Sequence, residues 1–309
     1  MENTENAENI FIEQQIAGQP KAEPPKEEHK KSASGDLGYD GEREGFLPDP
    51  SCAAEFHNVA FCCEHKKEKT YILKNFSAKL KKGAISAVAS LRNTDFEPFV
   101  RMILRSYEFP KYMIERGSIA VNGENTTLLK RKDAERVLSK AFNIVAPAFG
   151  AGVLRRTPAA DATVKDFVSG KFFLEFYELP ELEKALKSVG FHDINSLYDT
   201  KYGELSISDM QRIKLAQDLC FKQDVAVVVY PGMGLNDESK YFLKRLMIDR
   251  LVAGTVKAVL LLGEDMEFIA DCANEIYILE NGEIVESGAK ADIIETTQNP
   301  FIKSMLTRI

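Results

Sequence analysis

Val225-Ala-Val-Val-Val-Tyr-Pro-Gly-Met-Gly234 is the stretch on which the fold turns. It opens with five apolar residues, four of them β-branched valines, and closes on Pro-Gly. Such a run reads as a strand buried on both faces, the kind found in parallel sheets. Upstream, Glu204-Leu-Ser-Ile-Ser-Asp-Met-Gln-Arg212 opens a helical pattern, and downstream Leu235-Asn236 leads into another helix. Ile85 to Ala89 and Lys257 to Leu262 repeat the apolar texture, and Asn143 to Ala146 does so more briefly. Buried strands alternating with helices indicate an α/β fold built on a mainly parallel sheet.

The flanking sequence adds further pieces. Phe56, Val59 and Phe61 begin strand-like material, followed by a polar turn at Glu64 to Lys69 and further strands at Tyr71-Ile72-Leu73 and Phe76 to Leu80. Helices are expected from Phe99 to about Tyr107, from Leu128 to Lys140 and near Glu238 to Ala253. The block from 163 to 220 reads as mostly helical. Glu275 to Leu279 and Glu283 to Glu286, joined through Asn281-Gly282, form a hairpin, because Asn-Gly between apolar alternations is a strong turn signal. Residues 1–50 are rich in Glu, Lys, Pro, Gly and Ser and are expected to form a disordered acidic tail, with the folded domain spanning 51–309.

The charge is uneven. The chain carries −7 overall, and the first fifty residues hold twelve acids against five bases, so the tail carries the whole excess. A formally neutral folded part argues against a nucleic-acid-binding face. Lys66-Lys67, Lys79 to Lys82 and Lys130-Arg131-Lys132 read as solvated turns. Five cysteines lack metal-ligand spacing, and the four histidines are scattered, so no metal site is expected. The odd, scattered thiols suit a reducing compartment, and no apolar run is long enough to span a membrane. The expectation is a cytoplasmic chain, peripheral to a membrane if attached to one at all.

Taken in order, these features resemble an ABC-type ATP-binding cassette from about Ala54 to Ile309. Ile72-Leu-Lys-Asn-Phe-Ser77 with Lys82-Gly83 is similar to that family's opening strands, and Gly117-Ser-Ile-Ala-Val-Asn-Gly123 to its short strand and turn. Thr163-Val-Lys-Asp-Phe167 resembles the start of its helical subdomain, here expected at about 152–222. Ile276-Tyr-Ile-Leu-Glu-Asn-Gly-Glu-Ile-Val-Glu-Ser-Gly288 resembles its closing hairpin, and Asn299-Pro300-Phe301 a common ending. The resemblance implies a P-loop NTPase-like cassette with a mixed core sheet, an antiparallel β subdomain and a helical subdomain.

It also places the family's functional positions. The phosphate cradle falls on Ser90-Leu-Arg-Asn-Thr-Asp-Phe-Glu-Pro98, which has no Gly. Phe96 stands at the lysine position and Glu97 at the Mg2+ hydroxyl position. A lost charge-assisted contact costs about 1.5–3 kcal/mol. A carboxylate about 5 Å from one phosphate charge adds roughly 3 kcal/mol of repulsion at an effective dielectric near 20. Thr94 to Glu97 has capping-box spacing, with Glu97 reaching back, and Pro98 suits a first helical turn. Val229 falls at the magnesium-binding Asp, Tyr230 at the water-polarising Glu, Glu264 at the switch His, Cys63 at the adenine-stacking aromatic and Pro147 at the core-strand Gln. Leu205-Ser-Ile-Ser-Asp209 replaces two signature glycines with Ile207 and Ser208. Ser206 and Gln211 keep the signature pattern and are the weak nucleotide-binding candidates. Read alone, Ser206 is a helix N-cap and Gln211 a surface residue.

On these residues the expected function is a catalytically inactive cassette, a pseudo-ATPase without catalytic residues or cofactor. It would act as a structural or regulatory part of a membrane-associated complex. One alternative is an ATP-binding transporter subunit that takes ATP and Mg2+ at an atypical site. Another is a soluble scaffold unrelated to transport. The expected partners are proteins, either an ABC-type ATPase or a permease-like subunit. Ala146 to Val153 and Met233 to Asn236 are the expected docking segments, and self-association into a homodimer is left open.

Overall fold

The computed structural model describes residues 45–90, 95–107, 111–146, 160–170, 179–220 and 222–307. Residues 1–44 of the expected tail, the start of the cradle loop and most of Ala146 to Val153 lie outside the described residues; the last part of that tail is described and packs on the fold, with the Phe46 ring stacked on His57 at 4.8 Å and Asp49 paired with Lys79.

Two sheets organise the chain. The first is antiparallel, in the order β2-β1-β4-β5, with β1 Cys52–His65, β2 Glu68–Lys81, β4 Tyr112–Val121 and β5 Glu124–Asn125. The second runs β10-β9-β3-β8-β7-β6, from β3 Ile85–Ser90, β6 Phe142–Val145, β7 Gln223–Val229, β8 Val256–Gly263, β9 Glu275–Glu280 and β10 Glu283–Gly288. Its strands are parallel except at the β9–β10 hairpin, so it is mixed.

The valine run explains why this sheet has two covered faces. Successive side chains of a strand point to opposite sides. Val225, Val227 and Val229 therefore join one apolar cluster, while Ala226 and Val228 join another. The first cluster fills the space between the two sheets together with helix α1, Glu97–Leu104, and helix α2, Arg131–Ala141. Phe56, Phe76 and Phe99 meet there at edge-to-face or tilted angles, with Phe76 and Phe99 centroids 5.2 Å apart. The second cluster is covered by α3 Val164–Gly170, α4 Leu179–Ser188, α5 Ile194–Asp199, α6 Ile207–Leu219, α7 Asp237–Val252, α8 Met266–Cys272, α9 Lys290–Thr296 and α10 Pro300–Thr307. Among the described residues no helix is long and apolar enough to cross a membrane.

Local details follow from residue type. At the β9–β10 turn, Asn281 and Gly282 both take positive φ, 51° and 80°, as an Asn-Gly hairpin requires. That turn lies on β2, where Lys74 N–H donates to Gly282 O at 2.9 Å. The two strands expected at Tyr71 to Leu80 are one continuous strand, bent by register shifts opposite β1. The bend centres on Asn58, at φ 49°, whose N–H donates to Ser77 Oγ at 2.9 Å.

All five cysteines are buried. Burial pushes the Cys62 thiol up to about 11 and the Cys272 thiol up to about 12, and lifts Tyr112, Tyr198 and Tyr202 to about 12. The folded values lie above the unfolded ones, so this contribution to stability is complete below about pH 9 and is lost as pH rises through the folded values. Urea unfolding should therefore show stability falling steeply above pH 9, by about 1.4 kcal/mol per pH unit for each such thiol. A flat profile from pH 8 to 11 would contradict the burial of these groups.

Candidate functional site

Ligands of open α/β sheets sit beyond the carboxyl ends of parallel strands. Here that edge is formed by β3, β8 and β7, which end at Ser90, Gly263 and Val229. The residues following those three strands make the candidate site.

After β3, the chain enters α1. Phe96 is the N-cap residue and makes no side-chain cap; its ring is fully buried in the intersheet cluster. The T-shaped partner of that ring is Tyr230, 5.8 Å between centroids. Phe96 N–H donates to the Tyr230 hydroxyl at 3.3 Å. Glu97 N–H donates to Asp95 Oδ1 at 2.9 Å, and Pro98 has no N–H. Glu97 does not reach back as a capping box would: its carboxylate takes Arg101 Nη2 at 2.5 Å, one turn ahead. Thr94, the other half of that box, lies outside the described residues. The cap is instead supplied by Asp95, whose position two residues before the bonded N–H was the available sequence signal. Burial raises the Asp95 carboxyl above its usual range, and the nearby Glu97 charge adds to this.

After β7, Val229 is buried and packs between the sheets. Tyr230 adopts φ 49°, a left-handed conformation uncommon for a bulky residue. Its N–H donates to Leu262 O at 2.7 Å and its carbonyl accepts from Met233 N at 3.0 Å. Burial raises the Tyr230 phenol pKa, and the charges of Asp95, Glu264 and Glu97 act in the same direction. Asp95 and Glu97 follow β3 and Glu264 follows β8, so these charges reach the same sheet edge from separate segments of the chain.

After β8, Glu264 and Asp265 divide their work. Asp265 caps α8 by accepting from Phe268 N at 3.0 Å, and its other oxygen pairs with Lys240 Nζ of α7 at 2.7 Å. Gly232 makes room for that carboxylate, because a Cβ there would lie 2.2 Å from Asp265 Oδ2. The loop following Tyr230 is thereby fastened to the turn following β8. Asn236 closes the loop as the N-cap of α7, accepting from Ser239 N at 2.8 Å.

The signature-like segment starts α6. Ser206 is its N-cap, accepting from Asp209 N at 3.1 Å. Gln211 is buried, not a surface residue, because α6 is packed on nearly every side. Arg212 donates to Val189 O at 2.8 Å, pairs with Asp209 and lies 4.5 Å over the Phe191 ring, which explains its presence by packing. Ser208 Oγ and Ser239 Oγ, 2.8 Å apart, bring the start of α6 beside the start of α7. On these two elements Ile207 is 60% exposed and Met233, in the loop before α7, 45%. Cys63 is buried opposite Tyr112 in the β1–β4 register. The Tyr112 ring stacks on Phe61 and has Lys111 Nζ 5.8 Å over it. Among the described residues no three His, Cys, Asp or Glu side chains converge as a metal cage.

No family profile matches the chain. The methionine import ATP-binding protein MetN 1 of Listeria monocytogenes is 23% identical over 253 residues, 81% of this chain and 70% of that protein. The structure of cbiO1 from Clostridium perfringens, part of the ABC transporter complex cbiONQ, superposes at a TM-score of 0.60 with 15% identity, covering 84% of this chain and all of that one. An ATP-binding cassette dimer in a post-hydrolysis state, bound to ADP and Pi, superposes at 0.58 with 16% identity, covering 76% and 98%. These findings correct the expectation of a pseudo-ATPase. The relatives are ATP-binding subunits and the fold is shared with a cassette caught after hydrolysis, so the comparison points to an ATPase, not to a non-enzyme. With its mixed sheet, antiparallel sheet and helices, this chain has the fold of ABC-type ATP-binding cassettes, and its sequence is similar to ATP-binding subunits of ABC transporters.

Proposed function

We propose that this chain is the ATP-binding subunit of an ABC-type transporter, working at the cytoplasmic face of a membrane beside a permease subunit. It takes nucleotide at an atypical version of the cassette's site. The observation that carries this reading is the run of 253 aligned residues shared with an import ATP-binding protein. It is supported by the position of the sheet edge at the carboxyl ends of β3, β8 and β7, where α/β folds place their ligands.

The described residues offer no ready-made metal cage, so Mg2+ would have to arrive with its nucleotide. Mg2+ keeps most of its waters and usually needs one or two carboxylates plus phosphate oxygens. Glu97 is already paired with Arg101 at 2.5 Å, so it is not placed to hold the ion. When bound, the ion would neutralise phosphate charge. Asp95, Glu97 and Glu264 otherwise make this edge acidic, so metal-free ATP should bind far more weakly than Mg·ATP.

The exposed Ile207 at the start of α6 and Met233 in the loop before α7, whose helix starts meet at the Ser208–Ser239 contact, suit a second cassette packed against this part of the surface. Affinity purification of the full chain from detergent-solubilised membranes, read by native mass spectrometry, tests the transporter assignment. Recovery with a multispanning permease-like chain is expected. Recovery with soluble proteins alone would overturn it.

A further inference from the structure

We propose that the outer face of α7 pairs two copies of this chain, helix against antiparallel helix. The pairing needs no nucleotide and uses a surface that the nucleotide-site reading leaves unassigned.

Helix α7 packs with one side. Leu243, Leu246 and Met247 enter the core beneath it. Lys240, Lys244 and Arg250 are paired within the chain, with Asp265, Asp271 and Glu181. The outer side carries Tyr241, Arg245, Ile248 and Val252, all exposed. Their spacing of i, i+4, i+7 and i+11 is that of a coiled-coil seam, which gathers them on one stripe about 16 Å long at 1.5 Å per residue. Val252 is 84% exposed, Tyr241 56% and Ile248 41%. Apolar residues scattered singly on a surface are ordinary, but three aligned on one helix face form a patch that a partner can cover.

The charges on this face select the partner and its direction. Arg245 and Asp249 are both exposed, and among the described residues neither is in an ion pair. A parallel pairing in register would set Arg245 against Arg245 of the second copy, a like-charge contact. An antiparallel pairing about a two-fold axis between Arg245 and Ile248 sets Tyr241 against Val252 of the second copy and Arg245 against its Ile248. Asp249 follows Ile248, so each guanidinium then meets a carboxylate of the facing helix. The stripe is thus complementary to itself, as an isologous interface must be. A uniformly acidic or basic partner would meet a like charge here. One helix pair buries less than a permanent dimer needs, so the association is reversible, with a dissociation constant on the order of 10 µM.

Sedimentation velocity of the full chain, without nucleotide or Mg2+ and at concentrations on either side of that value, reads the pairing. The wild type should pass reversibly from monomer to dimer. Tyr241→Ser combined with Val252→Ser removes both apolar ends without adding charge and should weaken pairing at least about tenfold. Leu128→Ser alters an exposed apolar residue outside α7 and should change nothing. Arg245→Glu alone, or Asp249→Arg alone, sets like charges across the axis and should abolish self-pairing. An equimolar mixture of those two variants should restore it, because each helix then meets its complement. All four side chains are exposed, so folding is spared. A wild type that stays monomeric throughout, or a dimer that survives the stripe variants, overturns the proposal. If the chain is monomeric and the stripe variants instead lose a co-purified protein, the face belongs to that protein and the proposal falls as well. Neither failure touches the transporter assignment, which is read from permease recovery.

Discussion

Gly117→Ala is expected to destabilise the fold by more than about 4 kcal/mol, enough to remove most of the stability of an ordinary domain. Gly117 sits on β4 at φ 83°, opposite the bend in β1. A Cβ there would stand 2.3 Å from Asn58 O and 2.5 Å from His57 O, both backbone atoms. Neither can swing aside as a side chain would. Relief requires pulling β1 from β4, which lose their ladder next to the bulge, and the left-handed conformation itself costs about 1–2 kcal/mol for a residue with a Cβ. Gly83→Ala is the matched control. Gly83 has φ 76° but nothing within 4 Å of its Cβ position, so only the conformational term should appear. Urea titration of the two variants separates the terms. Equal midpoints would show that β1 and β4 do not approach as described.

Phe96→Ala should cost about 3–5 kcal/mol, the range for removing a fully buried aromatic ring. Phe96 contributes no cap through its side chain, so the loss comes from the cavity beside Tyr230 and Val229. Phe96→Lys places at this position the residue that the family resemblance implies for it. It should be at least as destabilising, because the position points into the apolar space between the sheets and a buried, unpaired ammonium is strongly disfavoured. Calorimetry reads both. A Phe96→Lys variant melting with the wild type would mean that this side chain faces the ligand edge instead of the core.

The parts of the fold written locally in the sequence were the legible ones. The valine run alternates between two apolar clusters because it is covered on both faces, and Asn281-Gly282 supplies the two positive-φ residues of a hairpin. Ser206 behaves as the N-cap its residue type suggests. Contacts made across long sequence separations could not be read that way. The bulge at Asn58 depends on Ser77 and Gly117, and the closing of the α1 end depends on Tyr230. Gln211 looked like a surface residue because polarity was its only local signal, yet neighbouring helices bury it. Glu97 had capping-box spacing but found a stronger partner in Arg101, a charge one turn along the same helix. The expectation of a non-enzyme came from reading individual positions against the family's pattern, and the relatives as a whole pointed the other way.

Equilibrium dialysis of the full chain against radiolabelled Mg·ATP tests the central claim most directly. Saturable binding of one nucleotide per chain in the micromolar range, weakened when Mg2+ is chelated, is the expected result. Failure to retain stoichiometric nucleotide at millimolar ATP would contradict the assignment of this cassette as an ATP-binding subunit.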